Sequence, residues 1–228
     1  MIKLEILYPE YMNQYGDIGN IKYLEKIIPK LKIIKTHLTD EPHFLKEKID
    51  ILYLGPTTEQ RQNEIVQKLL PYREQIKTLI EQKTLIIATG NAIEYFGKYI
   101  QTDTKDLISC LNLYNVYAEQ IPLVRYNDNV TCPLEGFTVV GFKNQKSHLY
   151  GKDKHALKVP TEKNLINFII DKNLFATYLI GPILVLNPLL TEALLKKANI
   201  PYKKPPFYDI AIESYQKRVI DFNQQKKP

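Results

Sequence analysis

Tryptophan is absent from this chain, cysteine occurs only twice, and arginine is confined to Arg61, Arg73, Arg125 and Arg218. Cys110 and Cys132 stand far apart in no metal-ligand spacing, and His37, His43, His148 and His155 are equally dispersed. Neither a disulfide framework nor a metal site is expected from that pattern. The net charge of +6 therefore rests on lysine, with pairs at Lys196-Lys197, Lys203-Lys204 and Lys226-Lys227. Without clustered arginine or interleaved aromatics these read as solvated faces, not as a stripe for nucleic acid. No apolar run approaches the roughly 18 to 20 residues of a membrane span. The N-terminus enters a strand pattern instead of a signal peptide, so the expected compartment is the cytoplasm.

What is present is an ordinary globular composition, 44% hydrophobic and 25% charged, without low complexity or an internal repeat. At 228 residues it suits one large α/β domain with its own core. The expected division is a domain over residues 1–200, with a connector and helix over 201–228 packed on it. Ile2 to Tyr8 alternates as a strand that Pro9 ends, and a loop to Asn20 follows. Ile21, Leu24, Ile27 and Ile28 then make a helical stripe, with Asn20 or Asp17 as its cap. Further strands are expected at Leu31–Leu38 and Ile49–Leu54, and helices at Glu59–Leu70 and Tyr72–Glu81. In the second half, strands are expected at Leu123–Arg125, Phe137–Phe142 and Leu174–Ile180, a polar loop at Lys143–His148, and a helix or loop at Asn164–Asp171. Helices from Asn187-Pro188 to Lys197 and from Tyr208 to Gln225 close the chain.

The stretch Thr84 to Gly97 organises the rest. It is an apolar strand that stops at Thr89-Gly90 and restarts as a helix. Such an elbow lies at the carboxyl end of a parallel strand, where unpaired N–H groups gather and a side chain can be held out for chemistry. A threonine there lacks an anionic form at neutral pH and needs a base beside it; the local sequence offers only Glu94, one turn on. The ordinary reading is a structural threonine capping the helix. Cys110, in the apolar run Leu107–Leu111, reads as a buried structural cysteine.

Five motifs in order carry a resemblance: the loop from Tyr8-Pro9 through Tyr15-Gly16-Asp17-Ile18-Gly19-Asn20, the strand end Gly55 to Gln62, the elbow at Thr89, Gly141 to Gln145, and Thr177 to Pro182 with Asn187-Pro188. Together these resemble the class I glutamine amidotransferases of the cobyric-acid-synthase type. Within that type they are most similar to the subunits that serve Mur-ligase-like synthases in cell-wall amidation. The resemblance implies an α/β, flavodoxin-like fold with a mainly parallel central sheet, a protein partner, no cofactor and no metal. It also implies a pocket at the strand ends lined by Asp17, Asn20, Gly55, Pro56, Thr57, Gly90, Asn91, Asn144, Gln145 and Gly181.

The departures bear on activity. Where the family carries a cysteine nucleophile this chain has Thr89, and where it carries the histidine base this chain has Ile180, expected to face Thr89. Pro56 falls in the loop that lends N–H groups to an oxyanion hole, and proline has none to lend. Two readings follow. One is a non-catalytic amidotransferase-like subunit that docks on a Mur-ligase-like enzyme; the other is an enzyme acting on amide transfer or a small molecule through a remodelled pocket around Thr89.

Overall fold

The first half of the chain alternates strands with helices: β1 (Lys3–Leu7), α1 (Ile18–Ile27), β2 (Lys32–Thr36), β3 (Ile51–Leu54), α2 (Gln62–Leu69), α3 (Arg73–Glu81) and β4 (Leu85–Thr89). A 3-10 helix over Gly90–Phe96 follows, and then β5 (Tyr99–Gln101), β6 (Leu107–Ser109), β7 (Val116–Gln120), β8 (Tyr126–Leu134), β9 (Phe137–Gln145) and β10 (Ser147–Gly151). The remainder is β11 (Ala156–Lys158), β12 (Ile166–Asp171), β13 (Leu174–Thr177), β14 (Leu179–Ile180), α4 (Ile183–Leu186), α5 (Pro188–Lys197) and α6 (Tyr208–Gln225). This computed structural model describes residues 1–159 and 165–225; Asn164, Lys226 and Lys227 lie outside the described residues.

In the main sheet the strands run β2-β1-β3-β4-β13-β12-β10-β7-β5-β6, with β11 beside β12. The block β2-β1-β3-β4-β13 is parallel throughout, and it is extended across β12 by strands that pair mostly antiparallel. Every residue of β3 and β4 is buried, as expected of parallel strands covered on both faces. Alternation divides them. Leu52, Leu54, Ile86 and Ala88 pack with Ile65, Val66 and Leu69 of α2, whereas Ile51, Tyr53, Leu85 and Ile87 pack with Ile21 and Leu24 of α1 and Leu190 of α5. Thr89 continues the second set, so its side chain emerges on the α1 side.

Several elements differ from expectation. Leu123–Arg125 is not strand: Leu123 ends a turn begun at Pro122, Val124 and Arg125 are irregular, and the strand begins at Tyr126. The polar run Lys143–His148 belongs to β9 and β10, because β8 and β14 pair with β9 on either side and satisfy its backbone; Lys143 is opposite both Asp128 and Leu179. The β8–β9 hairpin turns through Glu135-Gly136, with Gly136 at φ +85°. The segment expected as helix or loop to Asp171 is strand β12, pinned by β13 in an antiparallel register from Phe168↔Thr177 to Asp171↔Leu174. The apolar run ending at Ile180 is split: β13 stays in the main sheet while β14 joins the three-stranded sheet β14-β9-β8. Onto that smaller sheet α6 packs through Tyr215, whose hydroxyl donates to the Thr138 carbonyl at 2.7 Å.

Candidate functional site

Because Tyr53 and Thr89 end adjacent parallel strands on the α1 face, their hydroxyls meet the residue that precedes α1, Asp17. The Asp17 carboxylate accepts from Tyr53 Oη at 2.8 Å, Thr89 Oγ1 at 2.9 Å and Asn20 Nδ2 at 3.1 Å. Asn20 also donates to the Gly181 carbonyl at 3.1 Å and accepts from the Leu184 N–H at 2.8 Å, tying the first loop to the strand end beyond Ile180. Burial pushes the Asp17 carboxyl up to about 7, against the opposing pull of its three donors. Neither Asp17 nor Asn20 caps the helix with its side chain, contrary to expectation; Asn20 lies inside α1, and the Ile18 N–H is taken instead by Asn13 Oδ1 at 2.9 Å. No local pattern marks Asp17, 72 positions away, as the partner of Thr89.

The elbow is present but does not hold Thr89 out. Thr89 is 0% exposed and keeps relaxed strand geometry (φ −118°, ψ 153°), while the positive φ of +58° falls on Gly90. Nor does the Thr89 side chain cap the 3-10 helix that follows. A Cβ on Gly90 would lie 2.6 Å from Pro56 Cβ and 3.1 Å from Ile180 Cγ2, so these three residues close on one another. Gly55 is equally confined: a Cβ there would come within 2.2 Å of the Met12 carbonyl oxygen and 2.7 Å of Asp17 Oδ2. Glu94 serves a separate network on the α2 side, accepting from Gln62 Nε2 at 2.8 Å, Tyr178 Oη at 3.0 Å and the Ser147 hydroxyl. Burial raises its carboxyl to about 7 as well. Cys110 is buried, and burial raises its thiol, which suits packing and not nucleophilic chemistry.

Pro56, Thr57, Asn91, Asn144, Gln145 and Ile180 line one cavity, joined by Tyr15 and Glu59. Its volume is about 10 Å³. Two larger surface grooves, of about 300 and 380 Å³, lie near Phe44 and Leu79 at the amino ends of β3 and β4, away from Thr89. Around the small cavity most polar groups are already matched. Asn91 bonds both the N–H and the carbonyl of Thr57, at 3.0 and 2.8 Å, so the backbone N–H next to Pro56 is occupied too. Arg125 grips Glu59 through both carboxylate oxygens, at 2.6 and 2.8 Å, and donates to Asn144 Oδ1 at 2.8 Å. The cavity is thereby latched at its rim.

The sequence profile of the CobB/CobQ-like glutamine amidotransferase domain matches residues 3–187. The chain belongs to this family. Two relatives named "Lipid II isoglutaminyl synthase (glutamine-hydrolyzing) subunit GatD" are similar over most of their length. That of Staphylococcus aureus (strain N315) is 28% identical over 95% of this chain and 94% of its own. That of Streptococcus pneumoniae (strain ATCC BAA-255 / R6) is 28% identical over 90% of this chain and 85% of its own. A crystal structure described as a glutamine amidotransferase superposes with a TM-score of 0.60 over 86% of this chain and 99% of that one, at 12% identity, a likeness of fold alone. The fold is the flavodoxin-like α/β architecture of the class I amidotransferases, and the resemblance carried by the five motifs holds. Among the described residues no helix is long and apolar enough to cross a membrane.

Proposed function

We propose that this chain is an amidotransferase-like subunit that has lost glutamine hydrolysis and serves as a docking or regulatory partner of a Mur-ligase-like enzyme of cell-wall amidation. The observation that carries the reading is the state of Thr89: wholly buried, with its hydroxyl donated to Asp17. A nucleophile must reach a carbonyl carbon, and this one faces inward. A cavity of about 10 Å³ supports the same reading, being far below the roughly 300 Å³ and more of a small-molecule site. Ile180 offers no proton acceptor. The partner class comes from the two relatives, both named as subunits of a lipid II isoglutaminyl synthase.

The competing reading, an enzyme working through Thr89 with Asp17 as base, has a hydrogen bond of the right length but no approach for a substrate. Purification of the chain from its native host, with identification of what co-elutes, tests the proposal. Stoichiometric recovery of a Mur-ligase-like protein is expected. A chain that elutes alone at micromolar concentration in the presence of the co-expressed candidate, or one that releases glutamate from glutamine, refutes it.

A further inference from the structure

Four segments that wall the strand-end cavity meet again at a second point, the Glu94 carboxylate. Asn91, Glu59, Gln145 and Ile180 line the cavity. Glu94 lies three residues beyond Asn91 on the 3-10 helix, Gln62 three beyond Glu59, Ser147 two beyond Gln145, and Tyr178 two before Ile180. Gln62 donates to one Glu94 oxygen, and the hydroxyls of Ser147 and Tyr178 donate to the other. The Gln62 amide is held in that orientation, because its Oε1 accepts from Gln120 Nε2 at 3.0 Å. Ser147 is tied to the wall in turn, since its carbonyl accepts from Gln145 Nε2 at 2.7 Å. One carboxyl group therefore joins four separate stretches of chain that together close the cavity.

No counter-ion balances it. Glu94 is 0% exposed, and among the described residues it forms no ion pair. The titratable groups coupled to it are Glu59, Tyr95, Cys110 and Tyr178, all of which can carry only negative charge. Of the cations on adjoining elements, Arg61 pairs with Glu64 and Lys146 with Asp103, and neither Lys98 nor Lys143 bonds it; His148 stands against the Gln145 amide. A charge at Glu94 thus meets three neutral donors in a dry setting. Burial outweighs those donors and raises the carboxyl from 4.5 to about 7. Parting of the walls would admit water and return the group to its ordinary acidity. A carboxyl that ionises more readily when open makes opening easier as pH rises.

We propose that Glu94 is a proton-operated pin of the cavity: with its proton on it holds the four walls closed, and its ionisation releases them into a hydrated, open arrangement. The inference goes beyond the proposed function and does not depend on it.

Hydrogen exchange of the full chain without partner, followed by mass spectrometry from pH 5 to 8 and corrected for the intrinsic rate, reads the opening. Protection of residues 57–66, 90–97, 142–148 and 176–182 is expected to fall together, by up to about tenfold per pH unit as far as pH 7, and to level off above it. The reference strands β1 and β2 should change less. Glu94→Gln carries a neutral amide throughout, so its four segments should keep one level of protection across the range. Should that variant not fold, Tyr178→Phe takes its place; with one donor fewer on the carboxylate, the fall should move to higher pH. Flat protection in the wild type, a fall that persists in Glu94→Gln or stays in place in Tyr178→Phe, or a fall shared equally with β1 and β2 overturns the proposal. Co-elution and glutamate release bear on the docking reading and leave this outcome untouched.

Discussion

Thr89 Oγ1 donates to Asp17 Oδ1 at 2.9 Å, with both side chains buried. The residue at the carboxyl end of β4 is thus part of an inward-facing network with Tyr53 and Asn20, at the place where the family resemblance would put an attacking atom.

Glutamate release by the purified chain should not exceed the buffer blank, and Thr89→Cys alone should leave it there, because members of such a unit do not contribute independently. Under the proposed reading, the pair Thr89→Cys with Ile180→His would supply a nucleophile and a base but not an N–H at Pro56, and is expected to remain poor. Turnover in the wild type that survives rigorous purification and disappears in Thr89→Val would show that the threonine is a working nucleophile.

Stability should fall as pH rises toward neutrality. Asp17 and Glu94 are each raised to about 7 in the folded chain, from ordinary values near 4. Between those limits the native state holds protons that the unfolded chain has released, so their contribution is complete below pH 4 and is lost as pH climbs through about 7. The loss is on the order of 3 to 4 kcal/mol for each. Urea unfolding at stepped pH measures it, and Glu94→Gln should flatten the slope over this window; an unchanged slope in both Glu94→Gln and Asp17→Asn would contradict the assignment.

Gly90→Ala should be among the more damaging small substitutions. The backbone there is left-handed, φ +58°, and the added methyl carbon would meet Pro56 Cβ at 2.6 Å. The expected loss is roughly 2 to 4 kcal/mol. If the clash with Pro56 is part of it, Pro56→Gly should recover a fraction in a double-mutant cycle; strict additivity would assign the whole loss to the backbone.

Arg125→Ala should separate stability from closure. The Arg125–Glu59 pair is partly exposed, which limits its worth to about 1 kcal/mol or less. Its removal unlatches the rim, so the amide proton of Thr57, now bonded to Asn91 Oδ1, should exchange faster with solvent while the melting temperature moves little. Unaltered exchange at Thr57 would mean that the rim is held by other contacts.

The scaffold is legible in the order of residues alone. The apolar runs Ile51–Leu54 and Leu85–Ala88, short and bounded by turn residues, fit strands covered on both faces, and the loops that end β1, β3 and β4 fell where periodicity broke. The family resemblance, read on the same residue order, points to Thr89 and Ile180 as the positions on which the proposed loss of activity turns. Local patterning failed where pairing decides: Lys143 to Gln145 are polar and look like a loop, yet they extend a hairpin because β8 runs opposite all three and β14 opposite Lys143. The setting of Thr89 follows from folding, not from its neighbours in the chain. Its partner Asp17, the residue before α1, is 72 positions away, and both side chains are buried. The size of the cavity was equally illegible, since it is set by Pro56, Asn91, Gln145 and Ile180 meeting from four separate segments, a convergence that no periodicity within one segment encodes.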